Sequence, residues 1–133
     1  MKEKYDPQPN GKPILCLDFD GCIHSYTSGW KGVDKIPDPP VPGAFEWMTR
    51  AAEVFEIHIY SSRSSSPAGR RAMFQYIYSR DRVLAHLVVF ADEKPRAFIT
   101  IDDRCVQFNG NWSDAQFQPQ KLLAFVPYYK VVK

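Results

Sequence analysis

Short apolar runs that alternate with helical patterns organise this chain. Residues 14–17 form a continuous apolar run between Pro13 and an Asp-rich turn, which is typical of a short buried strand. Further strands are predicted at 54–60, 87–90 and 97–101, and a short edge strand at 105–108. Strands that alternate with helices in this way indicate an α/β fold with an open parallel sheet.

Three helices are predicted between and after these strands. The first begins after Gly43, and the second begins at Pro67, a residue that suits the first turn of a helix. A terminal helix is predicted over 119–125, before Pro127. The apolar faces of the first two are Ala44, Met48, Ala51, Ala52 and Phe55, and Ala72, Met73, Tyr76 and Ile77.

Length, charge and cysteine usage narrow the class of protein. The 133 residues suffice for a single domain, 1–133, with residues 1–12 as a loose arm. A formal net charge of +2 is too small to indicate nucleic-acid or membrane binding. The three cysteines are odd in number and lack the spacing of zinc ligands, so neither a disulfide framework nor a zinc site is indicated. No signal-peptide pattern or run of membrane-spanning length is present, so we expect a cytoplasmic protein.

The segment 22–42 is too rich in proline for a helix, and we expect either a β-hairpin flap or an ordered loop. A flap of this size would leave a neighbouring site open. His24 could touch a substrate, but a position facing solvent is the expected one. Tyr26 and Trp30 could stack on a nucleobase or anchor the flap onto the body, and the sequence leaves both readings open.

The most informative motif is Asp18-Phe19-Asp20-Gly21, directly after the first strand. Two like charges at the end of a buried strand need compensation, because desolvated carboxylates repel each other. A divalent cation would supply it, and Mg²⁺ is expected because the available ligands are oxygens. Gly21 would let the backbone approach a phosphate. An Asp-rich turn that caps the next element is the alternative.

Three further polar groups lie next to predicted strands: two of them follow a strand, and an isolated lysine precedes one. They are Ser61-Ser62-Arg63, the isolated Lys94, and Asp102-Asp103-Arg104. Ligands of α/β proteins lie at the carboxyl ends of parallel strands, so we expect these groups to meet at one edge of the sheet. There Asp18 could act as a nucleophile, and Asp20, two residues on, could act as an acid and base on the same side.

This ordered set resembles the four motifs of the haloacid dehalogenase-like (HAD) superfamily of phosphotransferases, over roughly residues 13–104. Asp18 looks like the nucleophile and Asp20 the acid/base of the first motif, Ser61 the second motif, Lys94 the third, and Asp102-Asp103 the fourth. The resemblance implies a Rossmann-like open parallel sheet with helices on both faces, a short flap and no large cap. A narrower likeness is to small bacterial and phage hydrolases related to polynucleotide kinase phosphatase domains.

The resemblance also implies a function, a Mg²⁺-dependent phosphomonoester hydrolase with an aspartyl-phosphate intermediate. Its metal ligands would be the Asp18 side chain, the Asp20 backbone carbonyl and Asp102, with Asp103 as an alternative. Lys94 and Ser61 would bind the phosphoryl group, and Gly21, Ser62 and Arg63 the substrate. The substrate would be a phosphorylated small molecule or a nucleic-acid end. Alternatives are a nucleic-acid end phosphatase or nucleotidase, and a non-catalytic module that binds metal or phosphate.

Overall fold

The computed structural model describes residues 10–130. Within them the strands are β1 (Ile14–Leu17), β2 (Glu56–Ile59), β3 (Val89–Phe90) and β4 (Ile99–Ile101). The α-helices are α1 (Ala44–Ala51), α2 (Pro67–Tyr78), α3 (Arg82–Leu87) and α4 (Pro119–Leu123). Short 3₁₀ helices at Ala115–Phe117 and Tyr128–Lys130 lie on either side of α4 in the chain.

The four strands form one parallel sheet in the order β3-β2-β1-β4. Leu15 of β1 is in register with Ile57 of β2 on one side and with Ile99 of β4 on the other. The predicted α/β class with a parallel sheet is therefore confirmed. Because the chain runs outward from β1 to β3 and then returns to the opposite side of β1, a crevice is expected at the carboxyl ends of β1 and β4.

The helices of the hydrophobic core pack on one face of the sheet. Leu15 and Leu17 point to this face, where they join buried residues of α1, α2 and α3 such as Met48, Met73 and Leu84. The opposite face carries Ile14 and Cys16, and the loop 91–97 lies beside it. The prediction of helices on both faces is not confirmed, because the core of residues 10–130 contains buried residues of α1, α2 and α3 on this one face. The eight residues 91–98 between β3 and β4 are too few for a crossover helix.

Local capping explains where the helices begin. The Ser66 hydroxyl accepts a hydrogen bond from the Gly69 amide at 3.2 Å, and Pro67 follows in the first turn of α2. Asp81 caps α3 in the same way, accepting from the Leu84 amide at 3.0 Å. The prediction of a strand over 87–90 is wrong at its start, because α3 continues to Leu87, where the Val88 amide donates to the Leu84 carbonyl, and β3 has two residues.

The segment 22–42 is an ordered loop. Its two ends are joined by backbone hydrogen bonds, from Ser25 N–H to the Pro39 carbonyl at 2.9 Å and from Val41 N–H to the Ile23 carbonyl at 2.8 Å. Of the two predicted alternatives, the ordered loop is therefore the observed one. We call this segment the flap loop.

Two predictions near the ends of the chain have different outcomes. No strand is present at 105–108, and those residues are exposed. The terminal helix exists but ends at Leu123. Most of the predicted loose arm, residues 1–9, lies outside the described part. No helix between residues 10 and 130 has the length and apolar character needed to cross a membrane.

Candidate active site

A cavity of about 250 Å³ lies at the carboxyl ends of β1 and β4. Its lining includes both acidic motifs that the sequence singled out, although they are far apart along the chain. The lining residues are Asp18, Asp20, Tyr26, Ser62, Asp102, Asp103, Arg104 and Tyr129. The fold therefore brings together most of the predicted site, at the crevice that the strand order favours.

Asp18 is partly buried at the end of β1. Its Oδ1 accepts a hydrogen bond from the Phe19 amide at 2.8 Å. Burial, a hydrogen bond with Asp103 and the charge of Asp102 together raise the pKa of Asp18 to about 9. Without a counter-charge, Asp18 therefore carries a proton at neutral pH. A cation at this position would allow it to ionise.

Three side chains at this point could hold such a cation. Asp18, Cys22 and Asp103 each offer one ligand atom, and these atoms lie within 4.8 Å of one another. Burial and the neighbouring carboxylates raise the pKa of Cys22, so its thiol stays protonated. The charged donors are therefore two carboxylates, a set that fits a hard divalent cation such as Mg²⁺.

Asp102 and Asp103, which the sequence could not separate, have different surroundings. The Asp102 carboxylate accepts a hydrogen bond from the Arg104 amide at 2.7 Å and is absent from the group that could hold a metal among residues 10–130. Asp103 belongs to that group and lies 3.9 Å from the Cys22 thiol. The geometry favours Asp103 over Asp102 as the direct ligand.

Gly21 permits the close approach of these segments. Its φ is +88°, and a Cβ there would overlap the Asp103 carboxylate and lie 2.9 Å from the Tyr129 ring. Its carbonyl accepts a hydrogen bond from the Tyr128 hydroxyl at 2.7 Å. Only glycine adopts this conformation readily and also needs so little space. Gly21 therefore allows the Asp103 carboxylate to lie close to the backbone of the first motif.

Asp20 is held by two buried side chains. Arg63 donates from Nε to Oδ2 at 2.9 Å and from Nη2 to Oδ1 at 3.2 Å. His24 Nδ1 lies 2.9 Å from the same Oδ1. A carboxylate has about four acceptor positions, so these contacts leave about one for a reacting group.

His24 is completely buried, so the expectation that it faces solvent is wrong. The rings of Phe19 and Tyr76 pack around it. Its Nε2 accepts a hydrogen bond from the Asp38 amide at 3.0 Å, which assigns the imidazole proton to Nδ1. His24 thus donates to Asp20 and links it to the far end of the flap loop.

Arg63 is also fully buried. Besides Asp20, its Nη1 donates to the Gly32 and Val33 carbonyls at 2.9 and 2.8 Å, and the Trp30 ring lies 4.7 Å from its Cζ. Arg63 does not line the cavity, so this arrangement does not favour the predicted substrate contact. Its guanidinium joins the end of β2 to the flap loop.

The two serines after β2 have different positions. The Ser61 hydroxyl is buried, where it accepts a hydrogen bond from the Arg63 amide at 3.0 Å and donates to Met73 Sδ at 3.6 Å. Ser62 is exposed and lines the cavity. In this arrangement Ser62, and not Ser61, lines the candidate site.

Lys94 lies in an adjoining cavity of about 350 Å³, which also includes Asp18 and Asp102. It therefore reaches the cluster of carboxylates from another side than Ser62 does. The two cavities share these carboxylates, so a cation and a lysine can approach Asp18 together.

Sequence reasoning missed the contribution of the chain's last described turn. Tyr129 lines the main cavity, and its ring lies 5.8 Å from that of Tyr26, edge to face. Arg104 pairs with the Tyr129 hydroxyl. Two tyrosines after Pro127 were the only signal, and nothing local indicates that they return to a glycine 107 residues earlier.

Comparisons of the chain with protein-family models, with curated proteins and with solved structures find no match. The functional interpretation consequently depends on the residues and geometry of the chain itself.

Proposed function

We propose that this protein is a phosphomonoester hydrolase of the HAD type, with a Rossmann-like sheet, that works through an aspartyl-phosphate. The observation that carries the proposal is the meeting of Asp18, Asp20 and Asp103 in one cavity at the carboxyl end of the central strand. The order of motifs along the chain, from Asp18 through Ser61 and Lys94 to the second acidic pair, supports the same reading.

Asp18 and Asp103 are the side chains that would hold a divalent cation such as Mg²⁺. When bound, this cation neutralises charge on the carboxylates and on the phosphate oxygens. The crowding that raises the pKa of Asp18 is the feature that fits such a cation, because it marks a shortage of positive charge.

Asp18 would be the nucleophile. One carboxylate oxygen attacks phosphorus, and the bond between phosphorus and the leaving alcohol oxygen breaks with its electron pair on that oxygen. The product is an aspartyl-phosphate. The hydrogen bond from the Phe19 amide to Oδ1 orients the carboxylate for this attack.

Asp20 would transfer the protons. It gives one to the departing alcohol, and it later takes one from the water that attacks phosphorus and releases Asp18. Arg63 and His24 occupy most of its acceptor positions and leave about one for this exchange. The buried pair therefore fixes the direction in which Asp20 presents its free position.

Ser62 and Lys94 would bind the transferred group. A hydroxyl and an ammonium are donors suited to the equatorial oxygens of a phosphoryl group. Ser62 lines the main cavity and Lys94 the adjoining one, and Asp18 borders both.

The proposal is tested by a phosphatase assay with Mg²⁺ on aryl phosphates, alkyl phosphates and nucleotides. Wild type should release phosphate and Asp18→Asn should not, because an amide cannot form the acyl phosphate. Asp20→Asn should lose more activity on alkyl than on aryl phosphates, since a poor leaving group needs the proton more. Asp34→Asn is the matched control, an exposed aspartate of the flap loop.

Two results would contradict the proposal. Asp18→Asn activity within tenfold of wild type would remove Asp18 from the nucleophilic role. A wild type that binds Mg²⁺ and phosphate yet hydrolyses no monoester would instead indicate the non-catalytic binding module.

A further inference from the structure

Two aromatic rings from distant parts of the chain form the rim of the main cavity. Tyr26 belongs to the flap loop and Tyr129 to the last described turn, and their ring centroids lie 5.8 Å apart at an interplanar angle of 89°. Both residues line the cavity together with Arg104, which pairs with the Tyr129 hydroxyl. We call Tyr26, Tyr129 and Arg104 the aromatic rim.

The backbone holds Tyr26 in an unusual conformation. Its φ is +63°, and it is the one non-glycine residue with positive φ among residues 10–130. A bulky side chain is strained there, and the turn closed by the hydrogen bond from Gly29 N–H to the Tyr26 carbonyl at 3.1 Å maintains it. The flap loop therefore accepts strain at the residue that brings a ring to the cavity.

The position of Tyr129 is equally specified. The adjacent Tyr128 hydroxyl donates to the Gly21 carbonyl at 2.7 Å, and Gly21 has no side chain to keep the Tyr129 ring away. The last turn is thus anchored on the motif that carries Asp18 and Asp20. This hydrogen bond fixes the rim relative to Asp18 and Asp20. Among residues 121–130, Pro127 is the one residue that is buried.

The cavity is too small to hold a complete organic substrate. Its volume is about 250 Å³, whereas pockets that enclose small molecules span about 300–1,000 Å³. A phosphoryl group and its counter-ion suit this space. The organic part of a phosphomonoester then extends either over the tyrosine rings or into the adjoining cavity of about 350 Å³ that holds Lys94.

We propose that the aromatic rim is a leaving-group subsite for a nucleoside, so that the substrate is a nucleoside phosphate. Planar bases stack on tyrosine rings, and the guanidinium of Arg104 has donors to spare for base carbonyl or ring-nitrogen acceptors. A leaving group without a ring gains little from these residues. The inference rests on the phosphatase function proposed above. The nucleoside can belong to a mononucleotide or to the end of a nucleic acid.

The test compares substrates that differ in the leaving group alone. Wild type, Tyr129→Ala, Tyr129→Leu and Tyr129→Phe are assayed with Mg²⁺ on a nucleoside monophosphate, an oligonucleotide with a terminal phosphate, and glycerol phosphate. The control variant is Leu123→Ala, which removes an apolar side chain that is 79% exposed in the same part of the chain. Melting temperatures establish that each variant is folded.

Relative to Tyr129→Phe, Tyr129→Ala and Tyr129→Leu should raise KM about tenfold or more on the nucleoside phosphates, and by less than about twofold on glycerol phosphate. Tyr129→Phe keeps the stacking ring and loses the hydroxyl that pairs with Arg104 and Asp103, so it measures the part of any loss that is due to the hydroxyl. Leu123→Ala should resemble wild type. The leucine variant keeps apolar bulk, so it remains informative if the alanine variant unfolds. Lower KM for the mononucleotide or for the oligonucleotide identifies the source of the nucleoside.

Equal changes on all three substrates, or no change on any, would overturn the subsite. If wild type hydrolyses none of them, the phosphatase proposal fails and the subsite is judged by binding of the nucleoside monophosphate, measured by calorimetry. Binding that Tyr129→Leu weakens tenfold or more supports the rim. Binding that Tyr129→Leu leaves unchanged, or no binding to wild type, rejects it.

Discussion

Arg63 and Asp20 form a bidentate ion pair in the interior of the protein, with Nε to Oδ2 at 2.9 Å and Nη2 to Oδ1 at 3.2 Å. Because Arg63 also donates to two carbonyls of the flap loop, the position of this loop and that of Asp20 are set by the same guanidinium. The planar, forked donor geometry of arginine suits this combination, and a lysine ammonium would not reproduce it.

The first prediction concerns this pair. Arg63→Met should lower the free energy of unfolding by about 3–5 kcal/mol, since it removes a fully buried guanidinium and leaves the partly buried Asp20 and two flap-loop carbonyls without their donor. Arg71→Met, at an exposed position of α2, should change it by less than about 0.5 kcal/mol. Urea denaturation measures both. Similar losses in the two variants would show that the buried pair contributes no more than an exposed arginine.

The second prediction concerns Gly21. Gly21→Ala should remove most activity and most stabilisation by Mg²⁺, because its Cβ would displace the Asp103 carboxylate. Gly110→Ala is a matched control, since Gly110 has a φ of +91° and open space around its Cβ position. Both variants share the backbone strain, and only the first has the overlap. Kinetics and melting curves with Mg²⁺ distinguish the two variants. Equal losses in both would show that backbone strain, and not the overlap with Asp103, accounts for the effect.

The third prediction separates the two aspartates after β4. A ligand that binds only the folded state stabilises it by about 2.7 kcal/mol at a hundredfold excess over Kd. Mg²⁺ should therefore raise the melting temperature of wild type. Asp103→Asn should abolish most of that rise, and Asp102→Asn should retain more of it, since only Asp103 lies in the group that could hold the metal. The reverse order would make Asp102 the direct ligand.

The fourth prediction is a pH dependence of the metal-free protein. The folded pKa of Asp18 is about 9, above its value of about 3.9 in an unfolded chain. Between these values the folded state binds more protons, so the free energy of unfolding falls as pH rises from about 4 to about 9. Asp18→Asn should remove this pH dependence. The Asp18 contribution is the difference between the stabilities of wild type and Asp18→Asn, measured as melting temperatures at each pH. Mg²⁺ should stabilise wild type more at pH 9 than at pH 5, because protons compete with it. Parallel pH profiles of wild type and Asp18→Asn would contradict the raised pKa.

The fifth prediction concerns Trp30, whose ring covers the Arg63 guanidinium while half of the residue stays exposed. This position favours the anchoring role over the stacking role. Trp30→Ala should lower the melting temperature and reduce kcat/KM on all substrates alike. Trp112→Ala, at a more exposed tryptophan, is the control. A loss of activity on nucleotides alone would instead show that Trp30 stacks on the base of the substrate.

Much of the fold was readable from local patterns. The apolar run before Asp18 predicted β1, and apolar spacing together with Pro67 predicted α2, because burial periodicity and capping depend on neighbours a few residues apart. The acidic pairs after β1 and β4 likewise predicted a shared site, since parallel strands end at a common edge. Where the local signal was ambiguous, as at Leu87, the boundary was wrong.

The sequence alone therefore determined where β1 to β4 lie to within about two residues, the class of the sheet and the acidic residues that meet at its edge, although it also predicted a strand at 105–108 that is absent. Tertiary structure alone decided which polar residues are buried. The sequence predicts a solvent-facing His24 and a substrate contact for Arg63, whereas in the structure the flap loop covers both and supplies the Asp38 amide and the Gly32 carbonyl. It also decided that Tyr129 completes the cavity. Such pairings depend on the path of the whole chain, and no short-range periodicity records them.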